Sequence, residues 1–122
     1  MKNETRSYKD LVVWQKGIAL AKGVHRLTRK FPNDEKFGLV AQMRRAAVSI
    51  PSNIAEGARH TTGEFIQFIS HAEGSLAELD AQLILSVELE FCSSVTAGAA
   101  FDLHTEVRKM LNALRRKLSG RQ

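Results

Sequence analysis

The chain has 122 residues, of which 43% are hydrophobic and 25% charged, and it carries a net charge of +5 with a pI near 9.7. That balance excludes a disordered segment, and the length is that of one domain. The single cysteine, Cys92, excludes an internal disulfide and a cysteine metal site, and it reads as a small buried hydrophobe.

The opening "MKNETRSYKD" is polar and has no apolar signal-peptide core, so a cytoplasmic protein is expected. No apolar run approaches the roughly 20 residues that span a bilayer. A first helix is expected over residues 10–30. Val13, Gly17, Leu20, Val24, Leu27 and Phe31 recur at alternating spacings of four and three, the mark of one helix face. Trp14, Ile18 and Ala21 broaden that stripe, which makes Trp14 a core or interface anchor. Asp10 is the expected N-cap. The sequence "FPND" ends the helix, because the residue before a proline is pushed out of the α region.

A second helix is expected over residues 34–59, on the stripe Val40, Met43, Ala47, Ile50 and Ile54. Asn33 would cap it, with Asp34 and Glu35 against the positive end of its dipole. Pro51 lies inside this element. A proline there removes one hydrogen bond and crowds the carbonyl four residues back, at roughly 3 kcal/mol. Either one helix kinks at Pro51, or one ends near Ser49 and another begins with Pro51 in its first turn. The apolar spacing passes through residue 51 without losing phase, which favours a single kinked helix. Gln42, Arg45, Ser49, Ser52 and Glu56 repeat the same spacing on a second, polar face, with Asn53 at its border. That face reads as a solvated surface whose Ser49 and Asn53 bond backbone groups at the kink. It reads alternatively as an interface stripe, where Arg45 and Glu56 meet each other or another chain.

A third and longest helix is expected over residues 62–91. It opens on the capping-box pattern Thr61-x-x-Glu64 and follows Ile69, Ala72, Leu76, Leu79 and Leu83, with Phe65 and Val87 at either end. Gly74 in its middle suggests a close helix–helix approach. A fourth helix is expected over residues 94–118, with Ser93 or Ser94 as cap and Val107, Leu111, Leu114 and Leu118 inside. Four amphipathic helices with short joins predict an all-α, antiparallel up-down four-helix bundle, as a single domain over residues 1–122.

Four stretches, "DLVVWQKGIALA", "FGLVAQMRRAAVSIPSNIAEGA", "EFIQFISHAEGSLAELDAQL" and "KMLNAL", run in order over almost the whole chain. In them the chain resembles the four-helix-bundle protein family encoded in intervening sequences of bacterial 23S rRNA genes. It is distantly similar to the accessory variability determinants of diversity-generating retroelements. The resemblance implies a ring-like homopentamer and, less directly, a role linked to nucleic acid. The stretch "TAGAAFDLHTE" departs from it, since relatives open the last helix with more acidic residues.

Charge is unevenly spread. Residues 1–59 hold 12 Lys/Arg against 5 Asp/Glu, residues 60–101 hold 6 acids and no Lys/Arg, and residues 102–122 hold 6 Lys/Arg against 2 acids. Such a chain suits a polyanion on its basic face, or a neighbouring copy that pairs unlike faces. Lys22, Arg26, Arg29 and Lys30 in the first helix, and Arg115, Arg116 and Lys117 in the last, are the candidate nucleic-acid contacts. Lys16, Arg108 and Lys109 add to them. Arg45, Ser49, Pro51, Asn53, Glu56 and Trp14 are the candidate structural or interface residues. His25, His60, His71 and His104 form no paired-ligand pattern, and there is no nucleophile elbow, phosphate loop or dinucleotide fingerprint. The expectation is a non-enzymatic homo-oligomer without cofactor. It would bind RNA or DNA through a basic face, or serve as a protein–protein scaffold.

Overall fold

The computed structural model describes residues 7–121, and the expected domain limits, 1 and 122, lie outside them. Among the described residues there are four α-helices and no strand: α1 Val12–Thr28, α2 Leu39–Gly57, α3 Thr62–Glu88 and α4 Gly98–Ser119. Two short 3-10 turns, Tyr8–Asp10 and Asn33–Glu35, precede α1 and α2. The four apolar stripes converge on one core. Leu20, Val24, Met43, Ile50, Ile54, Ile69, Ala72, Leu79, Leu83, Val107 and Leu111 are fully buried. Helix α1 packs on α2 and α4, and α3 packs on the same two.

Helix ends differ from the expected ones, for local reasons. Asp10 does not cap α1; it closes the first 3-10 turn, and Leu11 occupies the cap position with no side-chain bond. That turn sets the Tyr8 ring edge-on to Trp14, 5.2 Å between centroids. Asn33 does not cap α2. The amides of Glu35, Lys36 and Gly38 each bond a carbonyl three residues back, so the 3-10 helix is followed by a turn over residues 36–38, which delays α2 to Leu39. Phe37 is left almost wholly in solvent, 89% exposed.

The capping box opens α3 as expected. Thr61 Oγ1 accepts from the Glu64 amide, and Glu64 Oε1 accepts from the Thr61 amide at 3.1 Å. The helix ends in a Schellman turn. The Phe91 amide bonds the Ser86 carbonyl and the Glu90 amide bonds that of Val87, with Glu90 in the left-handed region at φ 63°. Ser93 Oγ accepts from the Thr96 amide, but this belongs to a turn over residues 93–97, and α4 begins only at Gly98. Neither Ser93 nor Ser94 caps it.

Gly74 faces open space, so close packing does not explain it. The close approach is at Gly57, where an added Cβ would stand 2.7 Å from Phe65 Cδ1 and Phe68 Cβ of α3. Cys92 is half-buried rather than buried, and the burial it has pushes its thiol pKa up. His104 is buried, and its Nε2 donates to the Leu76 carbonyl at 2.7 Å, which ties α4 to α3.

Candidate nucleic-acid interface

Pro51 is buried inside α2, which runs on through it to Gly57. Its ring lies against α1, where a Cβ on Gly17 would be 3.5 Å from Pro51 Cβ. The proline thus fills space at the α1–α2 contact, while the Ala47 carbonyl goes without the helical hydrogen bond that residue 51 would otherwise supply. On the opposite side of α2 the polar residues bond each other. Asn53 Nδ2 donates to the Ser49 carbonyl at 2.8 Å and to Ser49 Oγ at 2.9 Å. Ser75 Oγ of α3 donates to the same Ser49 Oγ at 2.8 Å. Ser49 and Asn53 thus lock α2 to α3 in a half-buried relay. Arg45 lies exposed beside it, lining a shallow groove with Gln42, Glu78 and Gln82. Glu56 does not meet Arg45; it bonds His60 Nε2 at 3.1 Å, in the turn that follows α2.

The cations separate into two groups. Lys22, Arg26, Arg29 and Lys30 are exposed along the last turns of α1 and its C-terminal end. Arg115, Arg116 and Lys117 sit at the far end of α4. Two contacts fix the α1–α4 register: Lys16 Nζ reaches Glu106 Oε1 at 3.0 Å, and the segment from Gly23 to Lys30 shares a groove with Ala99, Ala100 and Leu103. From Ala100 to Arg115 the helix rises about 22 Å at 1.5 Å per residue, so the two groups stand at opposite ends of the molecule.

The groups also differ in what holds them. Arg115 Nη2 donates to Glu73 Oε1 at 2.6 Å and to Ser70 Oγ at 2.7 Å, a half-buried ion pair that fastens α4 to α3. Arg116 and Lys117 are exposed. Arg26, Arg29 and Lys30 have no acidic partner among the described residues. Two residues that sequence reasoning left out join their end. Lys36 and Arg44 line a cleft with Arg29 and Thr28. Arg44 Nε donates to Thr28 Oγ1 at 2.9 Å and its Nη2 to the His25 carbonyl at 3.3 Å, so it caps the end of α1 while keeping its charge unpaired. The signal that could have found them is the register of α2 against α1, which sets the start of one helix beside the end of the other.

Asp34 and Glu35 stand in the same connection and moderate the positive field there. What this end can do is electrostatic: its six cations, Lys22, Arg26, Arg29, Lys30, Lys36 and Arg44, have the charge to hold an anion such as a phosphate. Among the described residues no three His, Cys, Asp or Glu converge to hold a metal, and no helix is long and apolar enough to cross a membrane. Trp14 is half-buried against the core and Tyr8, in the first turn of α1.

Residues 9–113 match the family model described as 23S rRNA-intervening sequence protein. No curated protein matches the chain.

Proposed function

The chain belongs to the 23S rRNA-intervening sequence protein family, and from that premise we propose that it is a non-enzymatic, homo-oligomeric bundle that binds nucleic acid through the basic end of α1. The observation that carries this reading is the concentration of Lys22, Arg26, Arg29, Lys30, Lys36 and Arg44 at one end of the molecule, without carboxylate partners among the described residues. All of these but Arg44, which also caps α1, are exposed, and exposed, unpaired cations confer little stability, so their clustering is better explained by a polyanion than by the fold.

The wider architecture is part of the proposal. Thr28 beside Arg44, Gly17 beside Pro51, Ser49 beside Ser75 and Met43 beside Ser86 support up-down antiparallel helices in a single domain. The missing amide at Pro51 supports a bend in α2 at that point. A cytoplasmic setting accords with the lone thiol.

Assembly rests on α3 and its C-cap, where Glu78, Ile84, Leu85, Glu88 and Leu89 lie exposed with no basic residue among them. Such a face complements the basic faces of α1 and α4 on another copy. Unlike faces meeting head to tail close into a ring where the rotation between copies allows it, and five copies is the number the family resemblance implies. The same exposed Ile84, Leu85 and Leu89 favour the second reading, a protein–protein scaffold, in which α3 receives a different chain.

Fluorescence anisotropy with labelled RNA and DNA at two salt concentrations separates the readings. The nucleic-acid reading expects binding at low salt that weakens with a log–log slope of about 0.9 per phosphate neutralised on duplex DNA. Absence of binding at low salt leaves the scaffold.

A further inference from the structure

Beside the basic end, α1 and α4 part over a groove of about 500 Å³. Its floor is carbon, from Leu27, Phe91, Ala100 and Leu103, and Arg26 and Lys30 stand on its rim. No carboxylate lines it. The size falls within the range of small-ligand clefts, about 300–1,000 Å³. Gly23 opens its wall, for a Cβ placed there would meet nothing within 4 Å. Bundle helices usually close such a gap with a side chain. Here Gly23, Ala99 and Ala100 keep it clear, next to cations that have no acidic partner among the described residues.

We infer that this groove receives an unpaired base of a single-stranded nucleic acid whose flanking phosphates are held by Arg26 and Lys30. The inference rests on the nucleic-acid reading above and makes it specific. In a duplex the base faces are stacked on one another, so a duplex meets only the rim cations and leaves the apolar floor unused. A single strand turns a base out of its stack, and every base has an apolar face to bury. Carbon floor and cationic rim together therefore select the single strand, where a purely basic surface would not. Phe91, half-buried and tilted against Phe31, supplies the aromatic edge of the floor.

Cys92 lines the groove and is the only cysteine of the chain, which makes it a local reporter. The test uses the full chain with labelled oligo-uridine and oligo-thymidine strands and a duplex of equal length. The expected result is tighter binding of the single strands, and slower alkylation of Cys92 by N-ethylmaleimide when they are bound but not with the duplex. Gly23→Leu fills the groove and leaves both cations, and leucine favours the helix over glycine. It should weaken single-strand binding by about fivefold or more while duplex binding holds. Ala99→Leu, from the α4 side, should do the same, so that one poorly folded variant does not decide the matter. Equal binding of single strand and duplex, indifferent to both fillings and without protection of Cys92, overturns the groove and leaves the basic-end reading intact. Binding of neither probe overturns both.

Discussion

Gly57 and Gly74 each sit within a helix, and they meet different surroundings. Gly57 lies under Phe65 and Phe68, with no room for a methyl group, whereas Gly74 faces solvent. Gly57→Ala should lower stability by about 1–3 kcal/mol through overpacking. Gly74→Ala should raise it by about 1 kcal/mol, since only the helix preference changes. Urea midpoints for the two variants check the pair, and a reversed order would contradict the packing. At Glu64, bonds from the Thr61 hydroxyl and amide hold the carboxyl below its usual pKa, with His60 adding a smaller pull. A depressed carboxylate stabilises the fold fully above its unfolded-state pKa, about 4.3, and that contribution is lost as pH falls through the folded value. Wild type should therefore melt above Glu64→Gln at neutral pH, and the gap should shrink steadily as the pH is taken down below about 4.3. A gap that persists in acid would mean the box acts through something other than the ionised carboxylate. The capping box was readable from residue spacing alone. Gly57 was not, because the clash comes from two phenylalanines on another helix, while spacing made Gly74 look like the contact.

Among the elements, α2 was the hardest to read, since it carries a proline, a polar stripe and a core stripe at once. Its core stripe was legible: Val40, Met43, Ala47, Ile50 and Ile54 are all buried. Its start was not. The hydrogen bonds of residues 33–38 are 3-10, and Asp34 and Glu35 suit the first turn of either helix type. Of the polar stripe, Gln42, Arg45, Ser52 and Glu56 are exposed as a solvated face would be, and only Ser49 is bonded across to α3 by Ser75, a contact that no single-helix pattern reveals. Helix α4 has a comparable pin. Arg115 looked like one of three equivalent cations, but only it reaches Glu73 and Ser70. A double-mutant cycle with Arg115→Met and Glu73→Gln should give a coupling of about 1 kcal/mol, the upper end for partly exposed pairs. Additive losses would show that the pair confers no stability.

At the scale of the whole molecule, the three-part charge pattern of the sequence was informative about partners but not about geometry. The bundle sets Lys22, Arg26, Arg29 and Lys30 at one end and Arg115, Arg116 and Lys117 at the other, and it brings Lys36 and Arg44 to the α1 end. Sequence distance concealed this, because the start of α2 reaches α1 only through the turn at Pro32. Assembly is the property that would repeat this end around a ring, where several weak phosphate contacts add. Light scattering at micromolar concentration should report a multiple of the 13.6 kDa chain, with five copies expected. Leu85→Glu on the exposed face of α3 should shift it toward monomer without loss of helix content. A monomeric wild type would remove the ring from the account.

The most direct test of the central claim, that the α1 end is the nucleic-acid site, compares charge reversal at the two ends. One variant carries Arg26→Glu, Arg29→Glu and Lys30→Glu, and the other carries Arg116→Glu and Lys117→Glu. Both sets are exposed, so both variants should fold and melt close to wild type. Anisotropy with a labelled single strand at low salt should show binding abolished by the first and largely retained by the second. Binding lost equally in both, or retained in the first, would contradict the account.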